Sequence, residues 1–140
     1  MYKSKMMIVM RRDLKMRKGK IAAQAGHACV EAVLMALSKE GRPDDFEMTA
    51  DGLALKNTDK PSSPLSDWFM YGCAKVCVYV DSEVALLDIA EKAKERGIIA
   101  SVITDAGMTD FYGISTKTCL ALEPLPADIA DELTGDLPLY

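Results

Sequence analysis

Residues 5–38 change from one hydrophobic period to another, and this change restricts the possible folds more than any other part of the chain. Residues 5–11 (KMMIVMR) form a short apolar run, as expected for a buried strand. Over residues 19–38 the apolar residues instead recur at helical spacing, until Gly41 and Pro43 end the pattern. A buried strand followed by a long amphipathic helix predicts the start of an α/β domain.

The rest of the chain continues this alternation. Strands are predicted at residues 74–80, 98–104 and 117–122, and helices at 82–97 and from Pro126 to Gly135. The order predicts a single α/β domain over residues 1–140, with helices packed on both faces of a small, mixed, mostly parallel sheet of about four strands. Residues 40–66, rich in Pro, Ser, Gly and Asp, predict an exposed excursion with one helical turn near residues 53–55.

Length and composition exclude several classes of protein. The apolar run at residues 6–10 is far too short to span a bilayer, and the first residues do not resemble a signal peptide, so we expect a cytoplasmic protein with no membrane partner. Of the four cysteines, Cys73 and Cys77 are four residues apart. In an extended strand that spacing is roughly 13 Å, too far for one metal ion. We therefore expect Cys29, Cys73, Cys77 and Cys119 to be reduced thiols and predict no metal site.

The charge is distributed unevenly. Residues 1–20 contain eight Lys or Arg residues and one acid, whereas the other 120 residues contain nine bases and twenty acids. A net charge of −4 argues against general nucleic-acid binding. The distribution predicts one anion-binding face on an otherwise acidic surface, and the alternative is an ordinary solvated charge run.

The basic residues lead into the start of the predicted helix. Cations there oppose the helix dipole, so Lys18 and Lys20 are poorly placed for helix stability. They are well placed to bind an anion such as phosphate, because the free backbone N–H groups attract it too and Gly19 allows close approach. The glycine spacing is not that of a P-loop.

Two groups of polar residues are candidates for chemistry. Lys20, Gln24, His27 and Glu31 have the spacing of one helical face, and His27 could be either structural or a working residue. Asp105 ends a predicted strand, where ligands bind in α/β sheets, although Asp-Ala-Gly is also an ordinary turn.

Several segments together carry a family resemblance. Residues 15–28 (KMRKGKIAAQAGHA), the set Trp68, Gly72 and Lys75, residues 101–109 (SVITDAGMT) and residues 124–140 resemble the type II peptidyl-tRNA hydrolases. The similarity covers nearly the whole chain outside residues 40–66.

The resemblance implies hydrolysis of the ester between a peptide and the 3′ ribose of tRNA, without a metal or cofactor, by a protein that forms a dimer. It implies catalytic roles for Lys20, Asp105 and Thr109: a lysine would stabilise the oxyanion, and Asp105 would orient water or the lysine. His27 is the candidate that the sequence itself offers for proton transfer, and it could equally support the site. The implied substrate-binding residues are Lys15, Arg17, Lys18, Gly19, Gln24, Asp110, Thr116 and Thr118.

The chain departs from the family pattern in the predicted loop at residues 105–116. Asp110 stands where the family usually has Gln, and YGISTKT replaces a segment that usually contains Pro. Earlier, Arg17 replaces Gly, and Ala25-Gly26 replaces Cys-Ser or Cys-Ala. These departures leave one alternative, a non-catalytic RNA- or protein-binding module. The excursion at residues 40–66 leaves another, an enzyme acting on a different small ester or phosphate-bearing ligand.

Overall fold

The described residues, 2–56, 59–108 and 111–140 of a computed structural model, form seven strands, four α-helices and one 3₁₀ turn. Thr109 and Asp110, both predicted site residues, lie outside the described residues. The elements are β1 (Ser4–Arg11), α1 (Lys18–Lys39), β2 (Phe46–Thr49), β3 (Gly52–Leu55), α2 (Pro64–Met70), β4 (Lys75–Val80), α3 (Glu83–Glu95), β5 (Ala100–Asp105), the 3₁₀ turn (Phe111–Gly113), β6 (Thr116–Leu122), β7 (Leu125–Pro126) and α4 (Ala127–Thr134).

The main sheet has the order β4-β1-β6-β5, and β7 adds to the start of β1. Strands β1 and β4 pair in parallel, whereas β6 is antiparallel to both β1 and β5. The predicted common direction of β1, β4 and β5 is therefore confirmed, but the prediction of a mostly parallel sheet is wrong. The reason is that β6 returns without a helical crossover and inserts between β1 and β5. The carboxyl ends of β1, β4 and β5 still meet at one edge of the sheet.

Helices cover both faces of the sheet, as predicted. Alternate residues of β1 point to opposite sides, so Met6 and Met10 pack with α1 and α2, whereas Met7 and Val9 pack with α3 and α4. Helix α1 presents a buried row of alanines, Ala28, Ala32 and Ala36, that permits close approach to the sheet. By length and composition α1 could also cross a membrane, but this is weak evidence because core helices pass the same test.

The excursion contains regular structure that the sequence analysis missed. Residues 53–55 belong to strand β3 of a β2–β3 hairpin, so the predicted helical turn is wrong. The turn before β3 needs Gly52, which has φ = 117°. Helix α2 follows, capped by reciprocal Ser63–Ser66 hydrogen bonds with Pro64 in its first turn.

Both the chain end and the thiols are held in the fold. Residues 138–140 cover the outer edge of β4, where the Tyr140 N–H donates to the Cys77 carbonyl over 3.1 Å. All four cysteines are free thiols; Cys119 is buried, and the other three are half-buried. Burial raises the pKa of the Cys119 thiol to about 12, so this group stays protonated at neutral pH.

Candidate active site

An ion pair joins the first turn of α1 to the end of β5. Lys20 Nζ lies 2.7 Å from Asp105 Oδ1, and the two side chains are only 15% and 13% exposed. The second carboxylate oxygen, Oδ2, accepts the Gly107 N–H over 2.9 Å. The pair brings together two of the four predicted catalytic residues, Lys20 and Asp105.

The surroundings of Asp105 favour its ionised form. The hydrogen bond from Lys20 lowers the pKa of Asp105 below its ordinary value of 3.8; burial opposes this, and the Gly107 N–H and the Lys20 charge lower it further. Asp105 is therefore a carboxylate at neutral pH, and it holds a charged ammonium beside it. A fixed cation of this kind can stabilise developing negative charge on an oxygen atom.

Gly107 shapes the turn that follows Asp105. Its φ is 78°, and a Cβ atom added there would lie 2.6 Å from the Ile114 carbonyl oxygen. The Gly113 N–H donates to the Gly107 carbonyl over 3.1 Å, which draws the far side of the loop back onto the turn. Only glycine combines this backbone conformation with this close approach.

The start of α1 has no side-chain cap. Arg17 occupies the N-cap position without a capping hydrogen bond, and the first turn contains no acidic residue. Lys18 and Gly19 are exposed beside it. The first backbone N–H groups of a helix have no partner within the helix, and such an end favours a bound anion, so anion binding here stays a prediction.

An open groove of about 670 Å³ separates the basic loop between β1 and α1 from the loop after β5. Lys15 and Arg17 line one side together with Leu14 and Met16. The other side is formed by residues that the sequence analysis had not selected, with the exception of Thr116: Gly107, Met108, Phe111, Tyr112, Gly113, Ile114 and Thr116. Phe111 also lies beneath the ion pair, with its ring centroid 6.0 Å from Lys20 Nζ.

Gln24 and Thr118 lie in the core and contact each other. The Thr118 hydroxyl donates a hydrogen bond to the Gln24 side-chain carbonyl, and both residues are buried. Their contact joins α1 to β6 one turn below Lys20. Both were predicted to bind substrate, but in this structure they support the helix that carries Lys20.

His27 is separated from the buried polar residues of α1. Its side chain is 61% exposed, and its Nε2 lies 3.7 Å from Glu31 Oε2. The residues predicted to share one helical face are therefore divided. Gln24 turns toward the alanine face of the helix, and His27 turns toward solvent. Among the described residues, no group of three His, Cys, Asp or Glu side chains is placed to hold a metal ion.

Comparison with known proteins identifies the family. The profile described as "Peptidyl-tRNA hydrolase PTH2" matches residues 4–140. The chain belongs to the PTH2 family. A peptidyl-tRNA hydrolase of Aeropyrum pernix is 38% identical over 136 residues, covering 97% of this chain and 95% of that protein. The peptidyl-tRNA hydrolase of Methanocaldococcus jannaschii is 38% identical over 135 residues, covering 96% and 98% of the two chains.

Two further matches are a longer relative and a solved structure. A Drosophila melanogaster protein described as probable peptidyl-tRNA hydrolase 2 is 37% identical over 135 residues, which are 96% of this chain and 61% of that longer protein. A solved structure of a protein of unknown function from Agrobacterium tumefaciens matches with a TM-score of 0.53 and 18% identity, covering 100% and 99% of the two chains. This last likeness shows the fold alone. The family resemblance given by residues 15–28 and 101–109 is thus confirmed.

Proposed function

We propose that this PTH2 family member hydrolyses the ester between a peptide and the 3′ ribose of tRNA. The observation that carries the proposal is the Lys20–Asp105 ion pair, held at an uncapped helix start beside a groove with a basic side. The substrate is polyanionic apart from its peptide, so a localised basic face on an acidic protein suits it.

The reaction needs stabilisation of an oxyanion. A water oxygen adds to the ester carbonyl carbon, and negative charge develops on the carbonyl oxygen. In the proposal the Lys20 ammonium stabilises this charge, assisted by the N–H groups at the start of α1. The bond to the ribose 3′ oxygen then breaks, and that oxygen takes up the proton which the water loses.

Asp105 is assigned a positioning role. Its lowered pKa makes it a weak base at neutral pH, and its carboxylate accepts the hydrogen bond from Lys20 and so fixes the direction of that side chain. The bond from Gly107 fixes the carboxylate in turn. His27 is exposed and its Nε2 lies 3.7 Å from Glu31 Oε2, so we propose that it supports α1 rather than transferring the proton, and substitution tests this. Lys15, Arg17 and Lys18 would contact tRNA phosphates.

The test follows release of N-acetylated amino acid from purified N-acetyl-aminoacyl-tRNA. We expect the wild-type protein to cleave it and His27→Ala to retain turnover within a few-fold. Cleavage unaffected by EDTA would support a reaction without metal. If tRNA binds but no ester is cleaved at any pH while a known hydrolase is active, the protein is instead a binding module.

We also propose a cytoplasmic homodimer. The outer side of α1 exposes three large apolar residues, Val30, Leu34 and Met35, which are 61%, 53% and 43% exposed. A second copy would remove this apolar surface from water. Light scattering after size exclusion should give twice the monomer mass, and Leu34→Glu should lower it.

A further inference from the structure

The loop after β5 holds an aromatic ring out in solvent. The Tyr112 side chain is completely exposed, at 101% of its reference area. Its backbone is left-handed, with φ = 52°, and the preceding Phe111 is left-handed as well, with φ = 62°. Two successive residues of this kind are unusual outside glycine, and bulky side chains disfavour the conformation. The sequence keeps a strained and exposed tyrosine without a packing benefit from its ring.

The conformation is maintained by the groups around it. The Ile114 N–H donates to the Phe111 carbonyl over 2.9 Å, and the Gly113 N–H donates to the Gly107 carbonyl over 3.1 Å. Phe111 packs against the core and so fixes the base of the turn, which leaves Tyr112 pointing outward. The loop thus presents Tyr112 in a defined place. Two hydrogen bonds link this part of the loop to Asp105, one from the Gly113 N–H to the Gly107 carbonyl and one from the Gly107 N–H to the Asp105 carboxylate.

The position of Tyr112 relative to charge suggests its ligand. It lines the groove of about 670 Å³ whose other side carries Lys15 and Arg17. An exposed aromatic face opposite cations matches single-stranded nucleic acid, in which bases stack on the ring while phosphates meet the cations. An apolar peptide side chain would gain most from an enclosed pocket, and this groove is open.

We infer that Tyr112 is a stacking platform for a base in the single-stranded 3′ end of tRNA. This inference rests on the proposed function, because it uses the same groove and the adjacent Lys20–Asp105 pair. The platform would place the terminal ribose near that pair. Tyr112 lies in the segment where the chain departs from the usual family pattern, so it would be a specificity residue of this protein.

The experiment measures binding rather than hydrolysis. It uses an RNA hairpin that carries no amino acid and ends in a single-stranded ACCA. A second hairpin has the same backbone but lacks the bases of the last two nucleotides. Fluorescence anisotropy at fixed salt gives the Kd of each hairpin for wild type, Tyr112→Phe and Tyr112→Asn. Asparagine tolerates the left-handed backbone and removes the ring, so it separates stacking from strain.

We expect Tyr112→Asn to weaken binding of the intact hairpin about five- to a hundredfold. Tyr112→Phe should bind like wild type. All three proteins should bind the hairpin that lacks the last two bases equally weakly. The matched control is Tyr71→Ala, an exposed tyrosine beside Lys3 at the opposite end of the sheet, and it should change nothing.

Two results would overturn the platform. Equal binding of the intact hairpin by wild type and Tyr112→Asn would do so, and so would an equal loss for both hairpins, which would mean that the contact is not with a base. The proposed function fails separately. If the wild-type protein shows the base-dependent difference but releases no N-acetylated amino acid, the stacking platform is supported and the hydrolase activity is contradicted. If the protein releases N-acetylated amino acid but shows no base-dependent difference in affinity, only the stacking platform is contradicted.

Discussion

The Lys20 ammonium and the Asp105 carboxylate are 85 residues apart in the chain and 2.7 Å apart in the fold. Their contact fastens the beginning of α1 to the end of β5, at the edge where the carboxyl ends of three strands meet. Because both side chains are largely buried, the pair has less solvent screening than the other ion pairs with exposed partners.

Lys20→Ala and Asp105→Ala should each lower turnover of N-acetyl-aminoacyl-tRNA by well over tenfold. The double variant should lose little more than the worse single variant, because two groups acting as one unit give non-additive effects. The matched control is Lys5→Ala, which removes a lysine of similar burial (20% exposed) paired to Asp131 at 2.8 Å. Losses that multiply in the double variant would contradict the assigned pairing.

Acid should reveal the Asp105 pair as a change in stability. The folded pKa of Asp105 lies below its ordinary value of 3.8, so the charged pair stabilises the fold fully above about pH 5. That stabilisation is lost as the pH falls through the ordinary value to the lowered one. Urea unfolding at several pH values should show Asp105→Asn less stable than wild type at pH 7, with the gap closing below about pH 4. A gap that widens in acid would refute this.

Lys15→Ala should weaken tRNA binding without a large effect on turnover at saturation. Lys15 is exposed on the basic side of the groove, and its loss removes about one phosphate contact. The plot of log affinity against log salt should therefore become shallower by about one unit of slope. Lys92→Ala on α3, which removes an exposed lysine paired with Asp88, serves as the control and should leave the slope unchanged.

Some of this site could be predicted from sequence because it depends on periodicity. Strand β1 and helix α1 carry long, regular hydrophobic patterns, so their ends, and with them Lys20, were placed nearly correctly. Asp105 followed from the rule that ligand groups lie where strands of an α/β sheet end. The insertion of β6 between β1 and β5 could not be predicted, because strand order depends on contacts between distant segments.

The differences between the predictions and the structure have local causes. Gln24 and His27 lie only about 60° apart around a helix, and burial changes completely across that angle. Helix α2 was missed because its first three residues fall in the predicted excursion, which is rich in Pro and Ser, although Ser63, Pro64 and Ser66 carry a recognisable helix start. Tyr112 lies in the loop that follows the candidate residue Asp105, but the sequence does not distinguish it there, since its exposure and its left-handed backbone are properties of the folded loop.

Thr118→Val should destabilise the protein more than its small change in volume suggests. The variant removes the hydroxyl that donates to Gln24 and leaves a buried amide oxygen without that partner, at a cost of about 1–3 kcal/mol. Thr116→Val is the control, because the Thr116 hydroxyl donates to the Ile114 carbonyl at an exposed site. Urea unfolding measures both, and equal small losses would show that the buried contact is unimportant.

Gly107→Ala and Gly113→Ala separate backbone strain from steric conflict in the loop that carries Asp105 and Tyr112. Both glycines are left-handed, with φ = 78° and 74°, so alanine costs about 1–2 kcal/mol of conformational energy at each. At Gly113 a Cβ has open space, whereas at Gly107 it would lie 2.6 Å from the Ile114 oxygen. Gly107→Ala must therefore move the loop and break the hydrogen bond from the Gly107 N–H to the Asp105 carboxylate. We expect it to lower turnover at least tenfold. Gly113→Ala should lose stability but keep turnover within a few-fold. Circular dichroism melts and ester-release assays on the two variants measure both quantities, and equal turnover in the two would show that the Gly107 contact does not position Asp105.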